Sequence, residues 1–219
     1  MENQSSSDHL NSSLTDLMTS LMVIFILLLL VFVSHSASKN AAIADVLLQA
    51  LRKDLAPQGF SNNLIRPDPR DPDAILVIVP DKLMDFAVQS ATLKPQGAEF
   101  LKSYIPTFAG VLCSPQFRSN VQSIIVEGHT DSQAWMGMTP QQSENANLRL
   151  SQQRSMSVVE DALKTLSDNP AERACFIKKL SATGRGQQGL EPTAAESRRV
   201  IFRIRIKASD KQQVESKVM

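Results

Sequence analysis

One long apolar segment near the N-terminus constrains this chain more than any other feature. Residues 17–33 are apolar apart from Thr19 and Ser20. Extended by one helical turn towards the N-terminus, to Leu14, the segment has about 20 residues. A helix of that length is roughly 30 Å long, which matches the hydrocarbon core of a bilayer. The sequence therefore predicts a single transmembrane helix over residues 14–34.

A cleaved signal peptide is the alternative interpretation. Its apolar region would normally have about 7–15 residues and would follow a basic stretch. Small residues do follow at 34–38, but residues 1–13 contain no Lys or Arg. We therefore predict an uncleaved anchor, with residues 1–13 as a cytoplasmic tail and the chain after it in the periplasm. Lys39, the nearest Lys or Arg, lies downstream and by the positive-inside rule favours the opposite orientation.

Residues 35–73 are predicted to be a linker. Within them, residues 41–55 place apolar side chains on one helical stripe, which is typical of a plug, a dimer-forming segment or an ordinary linker helix. The stretch 67–72, Pro-Asp-Pro-Arg-Asp-Pro, breaks regular structure and is predicted to mark a domain boundary.

From residue 74 the pattern changes to strands alternating with helices. Strands are predicted at 75–79, 121–127, 176–182 and 200–206, and helices at 96–112, with Pro106 as a kink or break, and at 148–166. This order predicts an α+β domain over residues 74–208, with a mixed sheet and helices on one face. Residues 209–219 are predicted to be a flexible tail.

Composition excludes several classes of site. The net charge of +1 gives no reason to expect a nucleic-acid partner. Cys113 and Cys175 belong to no C-x-x-C or Cys/His cluster, so no metal site is expected. The sequence is equally compatible with one disulfide between them, if the domain is periplasmic, and with two buried free thiols.

Five short motifs occur in the order found in OmpA-like domains. They are FAVQSATLKPQGAEFL at 86–101, EGHTD at 127–131, NLRLSQQRS at 147–155, GRG at 184–186 and SRRV at 197–200. The third is similar to N-x-x-L-S-x-x-R-A with Ser155 in place of Ala, and the last is similar to N-R-R-V with Ser197 in place of Asn. The domain thus resembles the OmpA-like peptidoglycan-binding family.

That resemblance implies a ligand and a site. OmpA-like domains bind diaminopimelate in the wall peptide, whose free end carries an ammonium and a carboxylate. The family's two pairing positions fall on Asp131 and Arg154, because an Asp accepts from the ammonium and an Arg binds the carboxylate through two parallel bonds. Thr130 and Asn147 match supporting polar positions. The alternative is that Asp131 only caps a loop and Arg154 is solvated. The segment 132–146, which contains Trp135, is longer than usual and is expected to reshape or cover the pocket.

A second resemblance lies in the apolar segment itself. Residues 14–22, LTDLMTSLM, resemble the D-x-M-T-x-x-M core of the MotB-type channel helix. In that family the Asp carries the transported ion, which here implies Asp16. Polar side chains share its helical face and are expected to line the channel, namely Thr15, Thr19 and Ser20. The alternative is that Asp16 caps the helix near the membrane interface.

Together the two resemblances imply a subunit of an ion-driven rotary motor in the bacterial inner membrane. Two copies would form a homodimer inside a cyclic ring of about five MotA-like multi-span subunits. The transported ion would be H⁺ or Na⁺, and no cofactor is implied. The core motif and the short linker resemble the B subunit of Zorya antiphage defence motors more than a flagellar stator, which usually begins with a basic tail. A passive membrane-to-wall anchor is the rival interpretation.

Two patterns that suggest enzymes are better explained otherwise. Residues 184–189 match G-x-G-x-x-G, but only a short segment follows before the last strand, whereas a dinucleotide site needs a crossover helix there. His129 and Asp131 have no nucleophile motif beside them. We therefore expect no catalytic residues and predict that the chain is not an enzyme.

Overall fold

The computed structural model describes residues 3–84, 86–87 and 89–207. It contains two compact units, one formed by the N-terminal segment and the other by Ala41–Lys207. The predicted flexible tail at 209–219 lies outside the described residues, as do the first two residues of the predicted cytoplasmic tail.

The N-terminal unit is helical. Helix α1 spans Asn3–Leu55, and its part Leu14–Ser34 is long and apolar enough to cross a membrane. Large apolar side chains on every side of this part are exposed. A helix that is apolar all round needs an apolar environment, which a bilayer supplies.

The second unit is an α+β domain built on a five-stranded sheet. Its strands are β1 (Ile65–Asp68), β2 (Asp71–Pro80), β3 (Val121–His129), β4 (Leu180–Gly184) and β5 (Arg199–Ile206), in the order β1-β2-β5-β3-β4. The β3–β4 pair is parallel and the other pairs are antiparallel, so the sheet is mixed as predicted.

Helices cover one face of this sheet. The helices after α1 are α2 (Asp81–Met84), α3 (Pro95–Leu112), α4 (Pro140–Thr165), α5 (Pro170–Ile177) and α6 (Ala194–Ser197). The main core joins Val77, Val126 and Phe202 of the sheet to Tyr104 and Phe108 of α3. Strand residues of the opposite parity form a small separate cluster of Leu76, Ile78 and Ile201, because successive side chains point to opposite faces.

The domain begins earlier than the sequence suggested. The end of α1 was expected to be a linker, but its residues Leu47, Leu51 and Leu55 are fully buried in the main core. The Pro-Asp stretch is likewise not a linker, since β1 pairs there with β2 in a hairpin. Pro67 is tolerated because β1 is an edge strand, where one side of the backbone needs no partner. Only residues 35–40 separate the apolar segment from the domain.

Two further predictions of element bounds were wrong. Phe176 belongs to α5, whose N-terminus is capped by Asn169, so the strand predicted at 176–182 is instead β4 at Leu180–Gly184. Helix α3 has the predicted extent and continues through Pro106, so of the predicted kink or break the structure contradicts the break. Helix α4 begins at Pro140, ahead of the predicted start at 148, because Thr139 and Gln142 form a reciprocal capping box.

Of the two alternatives for the cysteines, the structure contains the disulfide. Cys113 follows α3 and Cys175 lies in α5, with their Cα atoms 6.0 Å apart. The bond therefore joins two helices on the same side of the sheet.

Candidate functional site

A cleft of about 410 Å³ lies between the end of β3 and the part of α4 that carries Asn147, Leu150 and Arg154. All four residues predicted to bind the wall peptide line it, namely Thr130, Asp131, Asn147 and Arg154. Thr130 and Asp131 follow the end of β3, and the other two lie two turns apart on α4. The fold thus brings together side chains that the sequence separates by a loop and two helical turns.

Asp131 is held in an ionic network. Its Oδ2 atom accepts a hydrogen bond of 2.7 Å from Nη1 of Arg198, and Arg198 also donates through Nε to Asp81 at 3.0 Å. These two hydrogen bonds raise the pKa of Arg198 above its ordinary value. The Oδ1 atom accepts from the backbone N–H of Gln133 at 3.2 Å. Asp131 therefore does cap its loop, but it also faces the cleft as part of a charged pair.

Arg154 is buried rather than solvated, which contradicts the alternative interpretation of this residue. It is 6% exposed, and its Nε and Nη2 atoms donate to the backbone oxygens of Ser90 and Ala87 at 3.0 and 3.5 Å. Its guanidinium lies 4.9 Å from the centre of the Phe86 ring, within the range of a cation–π contact. Burial lowers the pKa of Arg154, and the negative charges of Asp81 and Asp131 oppose that shift.

The segment 132–146 contributes Gln133, Ala134 and Trp135 to one wall of the cleft. Its first half is a loop that carries Trp135, and its second half is the first part of α4. The indole N–H of Trp135 donates to Oδ1 of Asn147 at 2.8 Å, and Asn147 donates to the backbone oxygens of Gln133 and Asp131 at 3.3 and 3.4 Å. The segment thus supplies part of the cleft wall, and the cleft is open rather than covered. That the segment reshapes the pocket stays a prediction.

Glycines in the motifs allow α4 to lie close against the sheet. A Cβ atom on Gly128 would lie 2.1 Å from the backbone oxygen of Ser151, and one on Gly184 would lie 2.5 Å from the backbone nitrogen of Gln152. Such distances exclude any side chain at either position. The glycine of EGHTD therefore has a packing role, since it lets α4 bring Arg154 to the end of β3.

The loop after β4 completes the floor of this region. Its backbone joins β3, because Thr130 N–H donates to the oxygen of Gly186 at 2.8 Å. Gly186 and Gly189 have φ angles of +55° and +68°, which favour glycine, so the G-x-G-x-x-G match is a turn here. The hydroxyl of Thr130 is buried and has no partner within the described part of the chain.

Among the cleft residues that sequence reasoning missed, three belong to the ionic network or contact Arg154. Asp81 begins α2, Phe86 lies in the segment after it, and Arg198 precedes β5. Phe86 and Arg198 lie within quoted motifs, but no local pattern assigns them to the cleft. Asp81 belongs to none of the motifs and is 117 residues from Arg198, so the sequence carries no signal for this pair.

A second charged network lies on the open face of the sheet. Glu127 is 1% exposed and accepts from Nε of Arg203 at 2.8 Å and from Nη2 of Arg185 at 3.0 Å. Arg203 also pairs with Asp68. Burial by itself raises the pKa of Glu127, but interactions with His129 and Arg185 outweigh that effect and hold the pKa below its ordinary value of 4.5. The described residues contain no cluster of side chains suited to a metal ion.

The predicted ion-binding residues all lie in the exposed apolar part of α1. The hydroxyl of Thr19 donates to the backbone oxygens of Thr15 and Asp16 at 3.0 and 2.9 Å. Such back-bonding satisfies a hydroxyl in an apolar environment without a second helix. Ser20 lies on the same helix. The role of these four residues, Asp16 included, stays a prediction.

Comparison with known protein families and with curated proteins finds no match. Among solved structures, one similar to this chain is described as a MotB-like protein from Desulfovibrio vulgaris. The likeness has a TM-score of 0.54 and 20% identity, and covers 78% of this chain and 95% of that one.

The domain has a MotB-like fold.

Two other solved structures are similar at lower scores. The periplasmic domain of Helicobacter pylori MotB has a TM-score of 0.49 and 15% identity, covering 68% of this chain and 93% of that one. The cell wall anchor of the type VI secretion system from Pseudomonas aeruginosa has a TM-score of 0.46 and 21% identity. That likeness covers 74% of this chain and 97% of the other. In the MotB-like fold of this chain, the cleft with Asp131 and Arg154 lies at the end of β3.

Proposed function

We propose that this chain is the wall-anchoring and ion-conducting subunit of an ion-driven motor in the bacterial inner membrane. The observation that carries the proposal is the joint placement of Asp131 and Arg154 in one cleft of a MotB-like domain. A carboxylate and a guanidinium in one cleft suit a ligand that carries an ammonium and a carboxylate at one end. The free end of diaminopimelate in peptidoglycan has this chemistry.

The cleft already supplies part of the geometry such a ligand needs. Asp131 is fixed by Arg198 and by the Gln133 N–H, while Arg154 is fixed by two backbone oxygens and by Phe86. Fixed charges lose little conformational entropy when a ligand binds. The pair therefore favours selective recognition over a loose electrostatic contact.

The proposed location is supported by two features of the chain. The apolar part of α1 suits a single membrane span, and the disulfide between Cys113 and Cys175 suits an oxidising compartment such as the periplasm. We propose a cytoplasmic N-terminus and a periplasmic domain that contacts the wall.

The motor role depends on Asp16. A carboxylate inside a membrane helix costs about 2.5–3.5 kcal/mol on insertion scales, so such residues usually face a helix bundle or an ion path. We propose that Asp16 takes up and releases the ion, that Thr15, Thr19 and Ser20 line the same path, and that two copies lie within a ring of MotA-like subunits. No catalytic role and no cofactor other than the transported H⁺ or Na⁺ is proposed.

Among motors of this kind, we propose a Zorya-type antiphage defence motor. Two features favour it over a flagellar stator. Residues 1–13 carry no Lys or Arg, and only residues 35–40 separate the apolar segment from the domain. In such a system the anchored subunit would sense phage attack at the envelope through its contact with the wall.

The test is to extract the protein from its native membrane in mild detergent and to identify by mass spectrometry what accompanies it. A multi-span subunit in roughly 5:2 excess would support the motor, since a ring around a dimer has that ratio. The cytoplasmic part of that subunit would separate defence from motility. Recovery with wall fragments alone would contradict the motor and leave the passive anchor.

A further inference from the structure

Trp135 lies in the cleft next to the charged pair, and nothing in the proposed recognition of the charged end uses it. It lines the same cleft as Asp131 and Arg154 and is half-buried. It comes from the segment 132–146, which lies between the EGHTD and NLRLSQQRS motifs. The side chain is therefore a feature of this chain that the common motifs do not explain.

The loop that carries Trp135 is well held. The backbone N–H of Trp135 donates to the hydroxyl of Ser143 at 3.0 Å, and its backbone oxygen accepts from the N–H of Met138 at 3.1 Å. Gly137 has a φ of +76°, which permits this tight turn, and the capping box of Thr139 anchors the end of the loop to α4. Trp135 is thus positioned before any ligand arrives.

The polar atom of the side chain is already used. The indole N–H donates to Asn147 at 2.8 Å, so what remains for a ligand is the apolar ring. Phe86, the other aromatic side chain of the cleft, lies under the Arg154 guanidinium. Across the described residues, Trp135 contacts neither another ring nor a cation. It is the aromatic ring that the cleft leaves available.

We propose that Trp135 packs against the methylene chain that connects the charged end of the diamino acid to the rest of the wall peptide. This inference rests on the proposed function, because it takes Asp131 and Arg154 as the groups that hold the charged end. The apolar part of the cleft lining that such a chain of methylenes would contact includes Trp135, Ala134 and Leu150. Trp135 is then a specificity-determining residue that distinguishes a diamino acid with an aliphatic arm from a compact zwitterion.

The single tryptophan of the chain makes this contact measurable. The full-length protein in detergent is titrated with a purified disaccharide tripeptide that ends in meso-diaminopimelate, with tryptophan emission and calorimetry recorded in parallel. We expect a saturable change in emission with the same Kd as calorimetry. Asp131→Asn should abolish both signals, because the charged end is no longer held.

Variants of Trp135 separate contact from positioning. We expect Trp135→Ala, which removes the ring, to weaken binding of the tripeptide roughly tenfold. Trp135→Phe keeps a ring and loses only the hydrogen bond to Asn147, so it should weaken binding less than about threefold. Met136→Ala is the matched control, because Met136 is the next residue and is 99% exposed. It should bind as the wild type does.

The outcomes distinguish this inference from the proposed function. No binding of the tripeptide by the wild type would contradict the proposed function itself, and this inference with it. Binding by the wild type without a change in emission, together with unchanged affinity in Trp135→Ala, would overturn only the inference. Equal losses in Trp135→Ala and Trp135→Phe would show that Trp135 acts by positioning Asn147 and would also overturn it.

Discussion

Arg198 donates a hydrogen bond of 2.7 Å to Asp131, the carboxylate at the centre of the proposed wall-binding site. The same guanidinium pairs with Asp81 at 3.0 Å, so one cation lies between two carboxylates. A ligand ammonium that reaches Asp131 therefore joins an existing network in which the carboxylate is already oriented.

This arrangement predicts that Arg198 is needed for binding, although the two residues proposed to pair with the ligand are Asp131 and Arg154. Arg198→Ala should leave Asp81 and Asp131 without their shared cation and should weaken sedimentation with purified peptidoglycan by about tenfold. Arg205→Ala is the matched control, because Arg205 also pairs with an Asp, Asp71 at 3.0 Å, and does not line the cleft. Equal binding by both variants would remove Arg198 from the site.

Arg154 is expected to require its guanidinium and not merely its charge. Both Arg154→Ala and Arg154→Lys should weaken peptidoglycan binding about tenfold or more, since lysine cannot keep the bonds to Ser90 and Ala87 while it also binds a carboxylate. Arg149→Ala, an exposed arginine on the same helix, serves as the control. Retention of full binding by Arg154→Lys would show that a point charge is enough.

Asp16 is expected to be essential for ion-driven activity but not for the level of the protein in the cell. Asp16→Asn removes the ionisable group while it keeps the size of the side chain, so activity in cells should be abolished at an unchanged protein level. Asp45→Asn is the same substitution on an exposed residue of α1 outside the apolar segment, and should be silent. Normal activity of Asp16→Asn would refute the motor role and favour the passive anchor.

The disulfide is expected to stabilise the domain without taking part in binding. It closes a loop with a sequence separation of 62, and loss of such a bond typically lowers the free energy of unfolding by about 2–4 kcal/mol. Urea denaturation of the double variant Cys113→Ser, Cys175→Ser should show this loss. A reducing agent should destabilise the wild type similarly and leave the double variant unaffected. If reduction left the wild type unchanged, the thiols would be free in solution.

Glu127 should stabilise the fold at neutral pH and lose that effect in acid. Its pKa in the folded domain lies below the ordinary value of 4.5, so its contribution is complete above that value and is lost as the pH falls through the folded-state pKa. Glu127→Gln should lower the free energy of unfolding by about 3 kcal/mol near neutral pH, because it breaks buried pairs with Arg203 and Arg185.

The difference between Glu127→Gln and the wild type should then shrink as the pH is lowered below about 4.5. Urea denaturation across that range measures it, and Glu160→Gln, an exposed residue of α4, should show no such dependence. A difference that stayed constant with pH would mean that the loss comes from packing rather than from the charge of Glu127.

Features that depend on neighbouring residues were predictable from the sequence. Local hydrophobicity and periodicity predicted the apolar segment and the strands β2, β3 and β5. The resemblance of the EGHTD and NLRLSQQRS motifs to OmpA-like domains pointed to the four cleft residues. Local patterns hold information about a residue's own strand or helix, because the period of side-chain direction is set by the backbone itself.

Features that depend on distant residues were decided only by the tertiary structure. Whether the end of α1 is a linker or a core helix depends on the surface that its leucines meet, and that surface is assembled from α3 and the sheet. The pairing of Arg198 with Asp81 and Asp131 arises because β5 lies between β2 and β3 in the sheet. The sequence determined which charged groups the chain carries, and the packing of α4 on Gly128 and the order of the strands decided which of them meet.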